Sequence, residues 1–82
     1  MMKKVFVNGY GSIGSRIIQF IKDDPEIQIV GVGKYSPDSK VTEAIEQGFN
    51  VYVPEKNQNA FSDFSITGNI ESALDESDLV ID

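Results

Sequence analysis

At 82 residues and 9.0 kDa the chain is one small domain or part of a larger one, and its net charge of −6 makes it a poor partner for nucleic acid. It has neither Cys nor His, which excludes disulfides, thiolate or imidazole metal sites, imidazole general bases and Cys nucleophiles within these residues. The 40% apolar content suits a globular chain, no apolar run approaches the ~20 residues of a membrane span, and the stretch after Met1-Met2-Lys3-Lys4 is too short for a secretory signal; a soluble cytoplasmic protein is expected.

Lys3 to Asn8 opens the chain as a strand, because Val5-Phe6-Val7 is continuously apolar, as in a parallel sheet covered on both faces. Gly9-Tyr10-Gly11-Ser12-Ile13-Gly14 breaks it. From Ser12 to Asp23, Ile13, Ile17, Ile18, Phe20 and Ile21 fall largely at helical spacing, and Pro25 ends that helix by restricting the residue before it. Ile27 to Gly33 reads as a second strand. Ser36-Pro37-Asp38 is a turn into a helix over Lys40 to Gln47, stopped by Gly48.

Val51-Tyr52-Val53 is a short third strand closed by Pro54, and Glu55 to Asp63 is polar and readable as loop or frayed helix. Ile66-Thr67-Gly68 suggests a minor strand. Asn69 is a good cap for a helix over Ile70 to Asp75, and Leu79 to Asp82 is a further main strand. The fold class expected is α/β, the N-terminal part of a Rossmann-type, mostly parallel open sheet with helices on both faces. Residues 1–82 then form a partial NAD(P)-binding domain, of which such a short chain buries only about 60–65% of its unfolded surface. Residues 1–54 carry six acids and six bases, whereas residues 55–82 carry seven acids and only Lys56. An anionic ligand is therefore expected in the neutral first part.

The glycine loop follows a predicted strand and opens a predicted helix, the context that the G-x-G-x-x-G dinucleotide fingerprint requires. Gly9 permits the turn out of the strand, Gly11 lets a pyrophosphate approach the backbone, and Gly14 brings the helix close. Free N–H groups near Ser12 and Ile13 face the anion with the positive end of the helix dipole. A bare strand-to-helix turn remains the alternative. Twenty residues after Gly14, where an NAD enzyme carries an acid for the ribose 2′-hydroxyl, stands Lys34. A partly exposed ammonium there attracts a 2′-phosphate and favours NADP over NAD, with Ser36 adding a hydroxyl; an exposed lysine at a strand end is the plainer reading. Arg16 lies one turn into the helix and is expected on its exposed face.

Asn8-Gly9-Tyr10-Gly11-Ser12-Ile13-Gly14-Ser15-Arg16 resembles the amino terminus of the archaeal-type phosphorylating glyceraldehyde-3-phosphate dehydrogenases. The likeness continues through Val30-Gly31-Val32-Gly33-Lys34, Ser36-Pro37, Gly48, Tyr52-Val53-Pro54, Thr67-Gly68-Asn69-Ile70-Glu71 and Ser77 to Asp82. Ser15 replaces the family's usual Lys, and Asn69 a usual Thr. The resemblance implies that the loop, with Tyr10, Ser12 and Ile13, binds the dinucleotide, NADP or NAD, and that Lys34 meets the 2′-phosphate. It also implies a small phosphorylated aldehyde as substrate, a homotetramer at full length, and a catalytic Cys beyond residue 82. No residue present here replaces that Cys, so no catalytic or metal-ligating residue is expected in this chain. Another Rossmann oxidoreductase, of the homoserine dehydrogenase or dihydrodipicolinate reductase type, and a stand-alone nucleotide-binding regulatory module are the alternatives.

Overall fold

The computed structural model describes residues 2–82. Strands β1 (Lys3–Asn8), β2 (Ile27–Gly33), β3 (Val51–Val53), β4 (Gly68–Asn69) and β5 (Leu79–Ile81) form one sheet in the order β4-β3-β2-β1-β5. Every pairing between them is parallel. The run β3-β2-β1-β5 reproduces the first four positions of the doubly wound order, with the two-residue β4 added at the edge.

Helix α1 (Ser12–Ile21) and helix α2 (Ser39–Glu46) cover one face, where Ile18, Val41 and Ala44 pack on Val7, Val32 and Val53. Helix α3 (Ile70–Glu76) covers the other, where Ile70 and Ala73 meet Phe6, Val30 and Tyr52. Phe6 and Tyr52 pack edge to face, with ring centroids 5.8 Å apart. This double covering explains why β1 is apolar without alternation, and it is the α/β Rossmann-type arrangement expected.

Several boundaries differ from the sequence reading. Helix α1 ends at Ile21 rather than Asp23, because Asp24 turns back: its N–H donates to the Ile21 carbonyl and its carboxylate accepts from the Glu26 N–H. Helix α2 closes as anticipated at Gly48, whose φ of +87° allows the Phe49 N–H to reach the Ala44 carbonyl at 3.0 Å. The ambiguous polar stretch is a 3-10 helix over Glu55–Phe61, anchored by buried Phe61. β4 lies two residues later than expected, and Asn69 caps α3 by accepting from the Ser72 N–H at 2.9 Å. Among the described residues, no helix is long and apolar enough to cross a membrane.

Candidate functional site

In open parallel sheets a ligand crevice forms at the carboxyl ends of the strands, where the strand order reverses. Here that point lies between β1 and β5, with the glycine loop directly above it. Gly9 adopts φ +103°, a conformation natural only to glycine, and sends the chain over the sheet edge. Its N–H and that of Tyr10 both donate to the Gly33 carbonyl, at 3.2 and 2.8 Å, and the Gly11 N–H donates to the Gly9 carbonyl. These three loop donors are therefore used internally.

The donors left over are those of the first turn of α1. The first helical hydrogen bond runs from the Ser15 N–H to the Gly11 carbonyl at 2.9 Å, and Gly11 brings no capping side chain. The N–H groups of Ser12, Ile13 and Gly14 have no backbone partner among the described residues. Above them, a Cβ on Gly11 would meet nothing within 4 Å. An uncapped helix start beneath an open glycine leaves backbone donors that can meet a compact anion. Gly14 matters for packing instead. A Cβ there would collide with the Gly9 carbonyl oxygen, so its absence lets α1 sit against the loop.

Two adjoining clefts continue from the loop. One, of about 280 Å³, is lined by Gly9, Tyr10, Gly11, Gly33, Lys34, Tyr35, Ser36 and Asp38. The other, of about 210 Å³, runs along Gly9, Ile13, Gly14 and Ile17 to Ile81 and Asp82. The structure thus gathers every expected site residue at this edge, although exposed Ser12 lines neither cleft. A larger cavity of about 570 Å³ lies next to the first and shares Tyr35 with it; Pro54, Glu55, Lys56, Ile70 and Glu71 complete its wall.

Lys34 departs from expectation. It is 5% exposed rather than partly exposed, and its Nζ donates to the Tyr10 carbonyl at 3.0 Å while pairing with Asp38 Oδ1 at 2.8 Å. The cause is local. The Lys34 N–H extends the β2–β3 ladder to the Tyr52 carbonyl, which turns the side chain toward the loop carbonyl. The hydrogen bond from Lys34 holds the Asp38 carboxyl below its usual range, with backbone N–H groups assisting, although partial desolvation opposes it.

Tyr10 also differs from a simple ligand contact. Its ring is 1% exposed and lies in the core against α2, so only its backbone faces the cleft. Its hydroxyl has no hydrogen-bond partner among the described residues. Burial raises the phenol above its ordinary value, with Glu43 adding and Lys40 and Gln47 opposing. Gln47 lies near the phenol, and its Oε1 accepts from Gln19 Nε2 at 2.9 Å. Tyr10→Phe removes an unsatisfied buried hydroxyl whose desolvation costs about 1–3 kcal/mol, so thermal unfolding should move up by several degrees. A lowered unfolding temperature would mean that the hydroxyl finds a partner in solution.

Sequence reasoning did not single out Asn8 or Tyr35 as site residues. Asn8 Oδ1 accepts from the Tyr35 hydroxyl at 2.8 Å and its Nδ2 donates to Asp82 Oδ1 at 3.2 Å, tying the ends of β1, β2 and β5 together. A polar residue closing a continuous apolar strand was the available signal.

No family model matches the chain. It is similar to the glyceraldehyde-3-phosphate dehydrogenase of Sulfolobus acidocaldarius, at 36% identity over 96% of this chain and 24% of that protein. It is likewise similar to that of Methanobacterium formicicum, at 38% identity over 99% and 25%, and to that of Metallosphaera sedula, at 37% over 99% and 24%. The chain spans about a quarter of the length of these relatives. The resemblance read from the glycine loop therefore holds along nearly the whole chain: these 82 residues are similar to a quarter-length stretch of the archaeal glyceraldehyde-3-phosphate dehydrogenases.

Proposed function

We propose that residues 1–82 are the dinucleotide-binding part of a phosphorylating glyceraldehyde-3-phosphate dehydrogenase, a homotetramer that uses NADP or NAD. The observation that carries this reading is the uncapped start of α1 beneath open Gly11. Three first-turn N–H groups, of Ser12, Ile13 and Gly14, would hold the pyrophosphate without any positive side chain. The cleft beside Lys34 and Ser36 would take the adenosine ribose, and the apolar faces of Tyr35, Pro54 and Ile70 in the neighbouring cavity suit the adenine ring. The second cleft, toward Ile81 and Asp82, leads to the nicotinamide side.

A bound nicotinamide supplies hydride acceptance; the residues here bind and orient it and do no covalent chemistry. With no Cys or His in the sequence, the nucleophile that attacks the aldehyde would lie outside these 82 residues. Titration of the chain with NADPH, followed by quenching of its tyrosine emission or by calorimetry, is the direct test. Saturable binding to one site is expected, together with no phosphate-dependent oxidation of glyceraldehyde 3-phosphate by the chain alone. Absence of binding at millimolar cofactor counts against the dinucleotide reading, and turnover above background counts against the assignment of the nucleophile elsewhere.

A further inference from the structure

Resting on the dinucleotide reading, we propose that Asp38 sets the choice between NAD and NADP, by holding the Lys34 ammonium and presenting its own negative charge to the same cleft. Both residues line the cleft of about 280 Å³ beside Gly11. An ammonium has three N–H donors, and Lys34 uses two of them, on the Tyr10 carbonyl and on Asp38 Oδ1, which leaves one for a ligand. Lys34 is thus pinned and nearly buried, whereas the Asp38 side chain is 52% exposed. Asp38 Oδ1 accepts from both Lys34 Nζ and the Lys40 N–H, and Oδ2 makes no hydrogen bond among the described residues.

The charge that a 2′-phosphate would meet is therefore not that of a free lysine. The Lys34–Asp38 pair is neutral as a unit, and its more exposed member is the anion. A 2′-phosphate near Lys34 is attracted by the ammonium and repelled by the neighbouring carboxylate. A 2′-hydroxyl meets no such conflict and has Asp38 Oδ2 available as an acceptor. The carboxylate that NAD-binding folds place at the end of the second strand is supplied here four residues later, from the cap of α2. Both cofactors are accepted as a result, and the lysine alone does not impose NADP.

Lys34→Asp is a poor test of this arrangement, because it places a second carboxylate in a nearly buried position beside Asp38. Asp38→Asn is better: it removes the charge, keeps the shape and retains a residue that caps a helix equally well. Asp38→Ser is a second variant with a capping oxygen and no charge. Dissociation constants of the full chain for NAD and for NADP are to be measured for all three proteins at low and high salt. Both variants are expected to shift the affinity ratio toward NADP by about tenfold, with less shift at high salt. A ratio unchanged within about twofold while both cofactors still bind overturns the inference and leaves the dinucleotide reading standing. Equal weakening for both cofactors makes Asp38 a helix cap only and overturns it as well. Failure of the unsubstituted chain to bind either cofactor overturns the inference and the reading together.

Discussion

Gly11→Val should reduce dinucleotide affinity by on the order of 100-fold while leaving the fold in place. The two halves of this expectation have separate causes. Gly11 has φ −123° and ψ −150°, extended backbone that a β-branched residue adopts readily, and a Cβ there meets no protein atom within 4 Å. Valine is a poorer helix cap than glycine by up to about 1 kcal/mol, but the stiffer unfolded chain returns about 0.4–1 kcal/mol. These nearly cancel. The ligand, by contrast, loses its closest approach to the N–H groups of Ser12 and Ile13. Each charge-assisted contact contributes about 1.5–3 kcal/mol, so losing one or two accounts for the fall. Calorimetry with NADP and thermal unfolding on the same samples check both halves. Unchanged affinity would reduce the loop to a turn.

Gly14→Ala should do the reverse and damage the fold. Alanine improves helix propensity by about 1 kcal/mol, which alone would raise stability. Its Cβ, however, would run into the Gly9 carbonyl oxygen and approach Val7 Cγ1 to 3.5 Å. Gly9 is held by its own φ of +103° and by the Gly9 and Tyr10 N–H bonds to Gly33, so no flexible side-chain end can give way. Overpacking of this kind costs about 1–3 kcal/mol and sometimes more, and against a rigid backbone the upper end applies. A net loss of about 2 kcal/mol corresponds to a fall of about 10 °C in Tm for a domain of this size. Circular dichroism melts of the two proteins decide it; equal melting temperatures would show that the loop yields.

The contrast between these neighbouring glycines also marks where sequence reading succeeds and where it stops. Strand, loop and helix around Gly9 to Gly14 were legible because each signal is local: a continuous apolar run, a glycine pattern and helical spacing. The Asn69 cap and the Gly48 stop were legible for the same reason. The state of Lys34 was not. Lysine is rarely buried, so an exposed side chain was the rational expectation. Its burial depends on a carbonyl 24 residues earlier and on a carboxylate that also caps the next helix. Tyr10 escaped for a related reason, since an aromatic inside a binding loop carries no sign of whether its ring points to the ligand or into the core. The start of α1 was placed well, but not the internal use of the Gly9, Tyr10 and Gly11 donors, which follows from the backbone path.

The position of β1 has a consequence for how the polypeptide is made. β1 occupies residues 3–8, yet its second neighbour, β5, is formed by residues 79–81. Contacts that clamp the pair, such as the Lys4 N–H to Asp78 Oδ2 at 2.9 Å and Asn8 to Asp82, join groups separated by 74 positions. During synthesis β1 can gain β2 early, but one side stays open until the whole stretch to Asp82 has left the ribosome. Non-local parallel pairing of this kind is slow to form, because loop closure comes before the contacts that reward it. In that interval the backbone edge of Val5-Phe6-Val7, entirely buried in the finished sheet, is available to any passing strand. Of these five strands β1 is thus translated first but closed on its second side only when β5 arrives, and a nascent chain stalled before Leu79 would present the buried Val5-Phe6-Val7 run as a template for misassembly.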